Sequence, residues 1–531
     1  AAYARARRVR GHLPPKARGR QSLETVCMCS AAAAVLSVAT TSAPRLSRRV
    51  AVIGGGSAGV VTARFLKRAG HDATIFEAGS TVGGVWADNP TNDVVYRGLH
   101  TNLPTVVMQS PDLDFASSVP SYITKEMLGQ YIEAYGREFG LLQLATFGAT
   151  VTRVAPAASE GAPRWTVEWT VDDVAHSDVF DAVVVATGHY NKPYMPSLPG
   201  EENWLAGDAA RRITHSLHYD DPDDFRGQSV LVVGGRSSGV DIARMLYGVA
   251  EWVYVLEKKC TSATTHAAEA VTHVPLGTRL CRNGRLAAPR AGGGGGEEEE
   301  EVEGPPVTKV VLATGYVYSF PFLDETACGL TFEGERFVTP LYQHLMHAAR
   351  PFPGGSRTGP GVVLDMSRRH AARPTLGFVG IPLAVPCPIP FFECQAAFLA
   401  EQWAKPDAAL HGAEATARRQ AWVAAMRDAV GSRDQDLHYT STSARGPGTT
   451  SAWAYMRELL RATHATRPVD QAGDCWLERP SWEARLTTVE AVYADRGARY
   501  PKLPWEDDAY RRCEYTVDWA SGTWSVDASR C

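Results

Sequence analysis

Val50-Ala51-Val52-Ile53-Gly54-Gly55-Gly56-Ser57-Ala58-Gly59 and Val230-Leu231-Val232-Val233-Gly234-Gly235-Arg236-Ser237-Ser238-Gly239 are two versions of one pattern. Each is a buried-strand apolar run that breaks into a glycine turn. In each, a second apolar run closes on an acid 23 positions after the first glycine, Thr74-Ile75-Phe76-Glu77 and Tyr254-Val255-Leu256-Glu257. Strand, turn, helix, strand and acid in that order predict a Rossmann-like dinucleotide-binding unit. Two such units give an α/β fold and imply two cofactors.

The first copy is regular. Gly54 allows the tight turn, Gly56 lets a pyrophosphate approach the backbone, and Gly59 lets the helix sit close to the strand. The free N–H groups of the helix N-terminus then face the phosphates. Gly54, Gly55, Gly56, Ser57, Ala58 and Gly59 are therefore binding candidates, and Glu77 falls where a carboxylate holds ribose hydroxyls. Glycine-rich turns also serve ordinary tight loops, but here the helix, second strand and acid are all in place. In the second copy the candidates are Gly234, Gly235, Ser237, Ser238 and Gly239, with Arg236 in the place of the middle glycine. Its side chain points away from the phosphates or lies beside them as a cation; a glycine turn kept for packing is the alternative. Glu257 ordinarily favours a free ribose 2′-hydroxyl, yet Lys258 and Lys259 follow and can accept a 2′-phosphate, so NADPH is favoured over NADH.

The chain has 531 residues, 44% apolar and 21% charged, which is globular composition for two or three domains. Residues 1–48 carry nine Lys and Arg against one acid, Glu24, while the whole chain carries −4, so the remainder is acidic. This argues against nucleic-acid binding as the main function. The basic, acid-poor segment 1–48 reads as an organelle transit peptide, which would place the protein in chloroplast or mitochondrion. A disordered tail is the alternative, leaving the protein cytoplasmic. Val26–Ala39 is apolar enough for a secretory h-region but short for a membrane span. No transmembrane segment is expected elsewhere. Ten cysteines occur without a C-x-x-C, which argues against a dithiol redox centre, a zinc ribbon and a disulfide framework. The thiols read as reduced residues, and no metal site is expected.

Outward from the glycine turns, a helix is expected from Lys125 to Phe139, with Met127, Leu128, Tyr131, Ile132 and Tyr135 on one apolar face. Strands are expected at Val151–Val154, Arg164–Val171 and Asp181–Val185. The last ends in Ala186-Thr187-Gly188, and the strand Lys309–Leu312 ends in the matching Ala313-Thr314-Gly315. Both are places where a strand leaves its sheet near a bound nucleotide, which adds Thr187, Gly188, Thr314 and Gly315 to the candidates. The two bracket the second unit, so it is expected to be inserted into the first. The domains read as 49–212 and 307–468 for the first unit, 213–306 for the second, and 469–531 as a C-terminal extension without clear period. Gly292–Gly296 followed by Glu297–Glu301, within 291–304, reads as a solvated loop. Residues 353–373 and 440–451 read as further loops.

With these pieces in order, the chain resembles the flavin-containing monooxygenases, with wording most similar to the plant branch that S-oxygenates thioether side chains. Tyr96-Arg97-Gly98-Leu99-His100-Thr101-Asn102-Leu103-Pro104 resembles the family's asparagine loop, and Gly83-Gly84-Val85-Trp86 its second flavin contact. Ala313–Leu323 resembles the family's A-T-G-Y strand, and Phe378–Pro382 with Phe391–Gln395 its last flavin-side strand and helix. The family's F-x-G-x-x-x-H-x-x-x-[FY] signature appears as Trp204–Gly207 and His215–Tyr219, with extra residues between the halves. The final Tyr219 resembles this class rather than the Baeyer-Villiger enzymes.

The resemblance implies FAD on the first unit and NADPH on the second, the NADP domain being inserted into the FAD domain. It adds Gly84, Val85, Trp86, Thr101, Asn102, Leu103 and Gln395 as flavin-side residues, and His215 as a domain-linking residue. The implied reaction has NADPH reduce FAD, after which O2 is captured as a C4a-hydroperoxide that oxygenates the sulfur or nitrogen of a small molecule. Asn102 is the catalytic candidate, because an amide offers donor and acceptor without the labile proton of an acid. An Asx-type turn before Leu103-Pro104 is the structural alternative. Two other functions compete. One is a pyridine-nucleotide disulfide reductase, which needs the missing cysteine pair. The other is a degenerate FAD-binding module for redox sensing or interaction, suggested by Arg236 and the widened histidine motif.

Overall fold

The computed structural model describes residues 9–11, 45–87, 94–157, 163–290, 298–332, 334, 336–348, 374–383, 385–430, 437–438, 451–467, 474–500 and 508–529. The readings placed on Val26–Ala39, Gly292–Gly296 and the loops at 353–373 and 440–450 lie outside these residues.

The opening stretch folds as strand β1 (Arg49–Ile53), helix α1 (Ser57–Ala69) and strand β2 (Asp72–Phe76). Helix α2 (Lys125–Glu138) starts at Thr124, whose hydroxyl accepts from the Met127 N–H. Leu128, Tyr131, Ile132 and Tyr135 form its buried face; Met127, expected on that face, is exposed. Strand β3 (Ala182–Val185) pairs in parallel with β1. The first sheet has the order Leu341–Tyr342, Met346–His347, Leu376–Phe378, β3, β1, β2, Ala145–Thr146. An antiparallel meander of Thr150–Pro156, Trp165–Val171 and Val174–Phe180 follows the first β-α-β unit.

Strands β4 (Arg212–His215), β5 (Ser229–Val233), β6 (Trp252–Leu256), β7 (Val271–Val274) and β8 (Lys309–Leu312) build the second sheet, with helix α3 (Ser237–Leu246) after β5. The order is β4, β8, β5, β6, β7, all parallel, with Thr264–His266 antiparallel at the edge. Every residue of β5 is buried, as a parallel strand covered on both faces requires. The chain leaves the first sheet after β3, builds the second, and returns at Leu341. The second unit is thus inserted into the first.

Its limits differ from the sequence reading. The strand β8 pairs with β4 and β5, so residues beyond 306 belong to the inserted unit. Trp204 is fully buried in the second core, its indole N–H donating to the Val307 carbonyl, so the unit also starts before residue 213. Burial of Trp204, a tertiary fact, moves both boundaries outward. The acid run differs too: Glu299–Glu301 is a strand, antiparallel to Leu286–Pro289. Arg279 pairs with Glu299, Arg285 with Glu301, and Arg290 with Glu298 and Glu300. Cations facing the glutamates remove the self-repulsion that the composition alone implied.

The C-terminal stretch is structured as well. Helices α4 (Pro388–Trp403), α5 (Ala452–His464) and α6 (Trp482–Arg499) pack with α1 and α2 in one core that includes Trp403, Trp453, Trp476 and Trp482. A hairpin of Glu514–Asp518 and Thr523–Asp527 closes the chain, and Val9–Gly11 adds an antiparallel edge to it. Part of the basic N-terminal segment is therefore paired. At the centre of the core lies Arg64 of α1, only 3% exposed. Its Nη1 donates to Glu393 Oε1 (2.9 Å) and the Tyr135 hydroxyl (3.1 Å), and its Nη2 to Asp112 Oδ2 (2.7 Å). Glu393 is wholly buried and also accepts from Ser110 (2.7 Å), Tyr135 (2.9 Å) and the Trp476 indole (2.5 Å). The extension is thus bonded into the first unit.

Cys260, Cys281, Cys328, Cys387, Cys394 and Cys475 are free, as expected, whereas Cys513 is disulfide-bonded, against the expectation of reduced thiols. Among the described residues no helix is long and apolar enough to cross a membrane.

Two buried histidines face each other, His344 Nδ1 to His438 Nδ1 at 3.0 Å. Burial pulls His344 down to about 4. A histidine whose folded value lies below its unfolded one stabilises the fold above the unfolded value and destabilises it as pH falls toward the folded one. The unfolding free energy is therefore expected to drop by about 2 kcal/mol on this account between pH 7 and pH 5. Denaturant titrations at the two pH values check this, and His344→Gln should shrink the drop.

Candidate functional site

At the first turn, Gly54 takes φ +102°, and a Cβ there would lie 2.7 Å from the Ala186 carbonyl and 3.1 Å from Thr187 Cα. The turn thus packs on the end of β3, bringing exposed Thr187 and Gly188 beside it. A Cβ on Gly59 would stand 1.8 Å from the Gly54 carbonyl, so helix and turn touch through backbone alone. Helix α1 has no side-chain cap and no acid in its first turn, which leaves the N–H groups of Ser57, Ala58 and Gly59 and the positive end of the dipole for an anion. Glu77 lies under the turn: Oε2 accepts from the Gly55 N–H and Oε1 from the Gly79 N–H, each at 2.6 Å. Two backbone donors pin the carboxylate, and each oxygen keeps a second lone pair for a hydroxyl.

Gly83 and Gly84 lie directly on the glycine turn. The Gly83 N–H donates to the Gly55 carbonyl (2.9 Å), and a Cβ on Gly84, at φ +59°, would be 3.0 Å from Gly56 Cα. Val85 and Trp86 follow in the same short turn, with Trp86 packed on the first core. Gly380, which the sequence reading did not single out, joins them at φ +88°, 3.5 Å from Ala58 through its virtual Cβ. Gln395 is fully buried, its Oε1 accepting from the Gly380 N–H (3.1 Å) and its Nε2 donating to the Tyr455 hydroxyl (3.1 Å). Gln395 thus holds Gly380 and shapes the cradle from behind.

The second turn repeats the packing of the first. Gly234 takes φ +124°, with a virtual Cβ 2.4 Å from the Ala313 carbonyl; Gly239 would meet the Gly234 carbonyl at 1.7 Å; Gly235 sits 2.7 Å over Glu257 Oε2. Arg236 is exposed in extended backbone, φ −104° and ψ −173°, and caps α3 much as Gly56 (φ −69°, ψ −177°) caps α1. Neither position needs a left-handed residue. A Cβ at Gly56 would stand 3.5 Å from Gly84 Cα, an ordinary contact, so neither turn excludes a side chain at this position and the arginine leaves the second turn intact. Exposed Lys258 and Lys259 follow Glu257, which is held by His273 Nδ1 at 3.0 Å.

Between the units, Lys192–Pro193 and Tyr316–Val317 pair as a two-stranded ribbon at the two chain crossings. The Thr314 hydroxyl donates to the Tyr194 carbonyl (2.5 Å). Buried His215 accepts the Leu217 N–H at Nδ1 (3.0 Å), so Nε2 carries the proton and donates to the Gly315 carbonyl (3.0 Å). Burial lowers its proton affinity, favouring this neutral form. His215 thus stitches β4 to the crossing strand.

Thr101 anchors the asparagine loop, its N–H donating to the Ile123 carbonyl (2.8 Å) and its hydroxyl accepting the Ile123 N–H (3.1 Å). Leu103 packs on the first core. Asn102 between them is half-buried, and its side chain makes no hydrogen bond among the described residues, the Asx-turn bond included. A half-buried amide left unspent within the protein is suited to a ligand. The two cradles fit two dinucleotides, and among the described residues no group of His, Cys, Asp or Glu is arranged to hold a metal.

A family model described as Flavin-binding monooxygenase-like matches residues 47–270. The chain is 32% identical over 384 residues to Flavin-containing monooxygenase FMO GS-OX-like 2 of Arabidopsis thaliana, covering 67% of this chain and 74% of that protein. GS-OX-like 4 of the same plant is 32% identical over 391 residues, covering 68% and 77%. Among solved structures, S-allyl-L-cysteine S-oxygenase from Allium sativum matches with a TM-score of 0.65 and 26% identity, over 88% of this chain and 98% of that one. Tmm from Pelagibacter sp. strain HTCC7211 shares the fold, with a TM-score of 0.61 and 18% identity over 90% and 95%.

Proposed function

The chain belongs to the flavin-containing monooxygenase family, and from that premise we propose that it oxygenates the sulfur or nitrogen of a small molecule, a thioether first among them. The overall balance is thioether + O2 + NADPH + H+ to sulfoxide + H2O + NADP+. What supports the thioether is the likeness to a solved S-oxygenase along nearly that protein's whole length.

FAD, when bound, supplies the redox chemistry that makes one atom of O2 electrophilic. The protein's part is binding, orientation and the exclusion of water. Amides at the N-terminus of α1 hold the flavin's pyrophosphate and Glu77 its ribose; the matching amides of α3 hold that of NADPH. Asn102 offers a hydrogen bond beside the reacting atoms and has no acidic proton that would discharge the oxygen as hydrogen peroxide. Asn102→Ala is expected to keep consuming NADPH while sulfoxide formed per NADPH falls about tenfold, the remainder appearing as peroxide. Lys258→Ala with Lys259→Ala is expected to weaken NADPH about tenfold and leave NADH nearly unchanged, since the lost contacts are to the 2′-phosphate.

The test is anaerobic addition of NADPH, and separately NADH, to FAD-loaded protein, followed by oxygen with a methyl thioether or a tertiary amine. Bleaching by NADPH and sulfoxide formed in step with NADPH consumed are the expected results. Bound FAD that NADPH never bleaches would overturn the proposal in favour of a binding module.

A further inference from the structure

Tyr96 opens the stretch that carries Asn102, yet its side chain reaches the inserted unit. The ring stands edge-on to Tyr219, centroids 5.5 Å apart, and the hydroxyl donates to Asp241 Oδ2 at 2.5 Å. Tyr96 and Asp241 are 7% and 8% exposed. Asp241 is the fifth residue of α3, the helix whose N-terminus opens at the second glycine turn. Its other oxygen accepts from Arg511 Nη2 at 2.9 Å, a residue of the C-terminal extension for which the sequence suggested no role. The next residue adds a second attachment: the Arg97 guanidinium pairs with Asp220 (3.0 Å) and Asp221 (2.8 Å), and its N–H donates to the Asp220 carbonyl (3.1 Å). The asparagine loop is thus held at its far end by Thr101 to the first unit and at its near end to the second.

We propose that Tyr96, Asp241 and Arg511 are positioning residues through which nucleotide on the second unit sets the course of residues 97–100, the approach to Asn102. The inference rests on Asn102 working beside the flavin. Asp241 is shared by the Tyr96 hydroxyl and the Arg511 guanidinium, with Arg244 of α3 itself 3.9 Å from the oxygen that Arg511 bonds, so a shift of α3 moves the carboxylate and carries Tyr96 with it. Five residues separate Tyr96 from Asn102, and because Thr101 is anchored the shift reorients residues 97–100, the stretch that leads into Asn102. Arg511 holds the carboxylate from the opposite side and fixes its direction.

The experiment is hydrogen exchange of the FAD-loaded full chain with and without NADP+, read in peptides spanning 97–108 and 237–246. NADP+ is expected to slow exchange in both peptides of the parent protein. Tyr96→Phe keeps the ring against Tyr219 and removes only the hydroxyl. In it the protection gained at 97–108 should fall about tenfold while that at 237–246 persists. Arg511→Lys, which keeps a cation on Asp241, should retain the coupling, and Arg511→Met should lose it. These two variants read the same link should Tyr96→Phe fail to hold FAD. Unchanged protection at 97–108 in both Tyr96→Phe and Arg511→Met would overturn the proposal, as would a parent protein in which NADP+ protects 237–246 alone. Flavin bleaching of the parent protein by NADPH is scored separately, so failure of the monooxygenase reading is distinguishable from failure of the coupling.

Discussion

Gly59→Ala is expected to yield a chain that carries little or no FAD, and Gly239→Ala a chain that carries FAD normally but is no longer bleached by NADPH. The reason is steric and identical in the two places. A methyl at Gly59 would stand 1.8 Å from the Gly54 carbonyl, and one at Gly239 would stand 1.7 Å from the Gly234 carbonyl. Both obstacles are backbone, so the only relief is to push the helix off its strand, which moves the amides meant for the pyrophosphate. A change of that kind in each turn should lower affinity for its nucleotide by about a hundredfold or more. Gly497→Ala is the control: it lies within α6 with nothing within 4 Å of its virtual Cβ. There alanine should stabilise the helix by about 0.5–1 kcal/mol. The measurements are flavin absorbance per chain after gel filtration and the rate of anaerobic bleaching. Full FAD content in Gly59→Ala would show that the flavin does not use this turn.

Arg64→Met is expected to be the most damaging change away from the cradles, costing about 3–5 kcal/mol of stability. Arg64 divides its guanidinium between Glu393 and Asp112, both almost wholly buried. Removing it leaves two carboxylates facing each other, and burial with the neighbouring Asp112 already pushes the Glu393 carboxyl up. Arg64→Lys should recover only part of the loss, because one ammonium does not reproduce a fork that serves two acids from different nitrogens while lying 3.6 Å over the Phe139 ring. Since Arg64 belongs to α1, FAD should also be bound less tightly. Chemical denaturation of each variant, with and without added FAD, checks both effects. Equal stability of Arg64→Met and the parent would mean that the cluster contributes no more than an apolar core would.

The features legible in the chain were those with a local cause. A strand-turn-helix unit is written in consecutive residues, because the period of the apolar run, the glycines at the turn and the acid closing the second strand all act within about thirty residues. That is why both turns, the helix after Thr124, the insertion of one unit in the other and the Thr187 and Thr314 strand ends could be read directly. The limits of the inserted unit could not be read, since Trp204 shows its membership only by what it packs against. Nor could the strand at Glu299–Glu301, whose charge is met by Arg279, Arg285 and Arg290.

Gln395 makes the same point within the site. Its place in a family motif put it near the flavin, and only the packing of α4 against α5 shows the amide bonded to Gly380 and Tyr455. Arg64 to Glu393 spans 329 positions and Arg511 to Asp241 spans 270, and no local pattern announces either pair. The sequence by itself therefore determined the two nucleotide cradles, because the sterics of a glycine turn are local. The tertiary structure alone decided how the cradles, the asparagine loop and the C-terminal extension are joined, because buried ion pairs form between residues that only the finished fold brings within 3 Å.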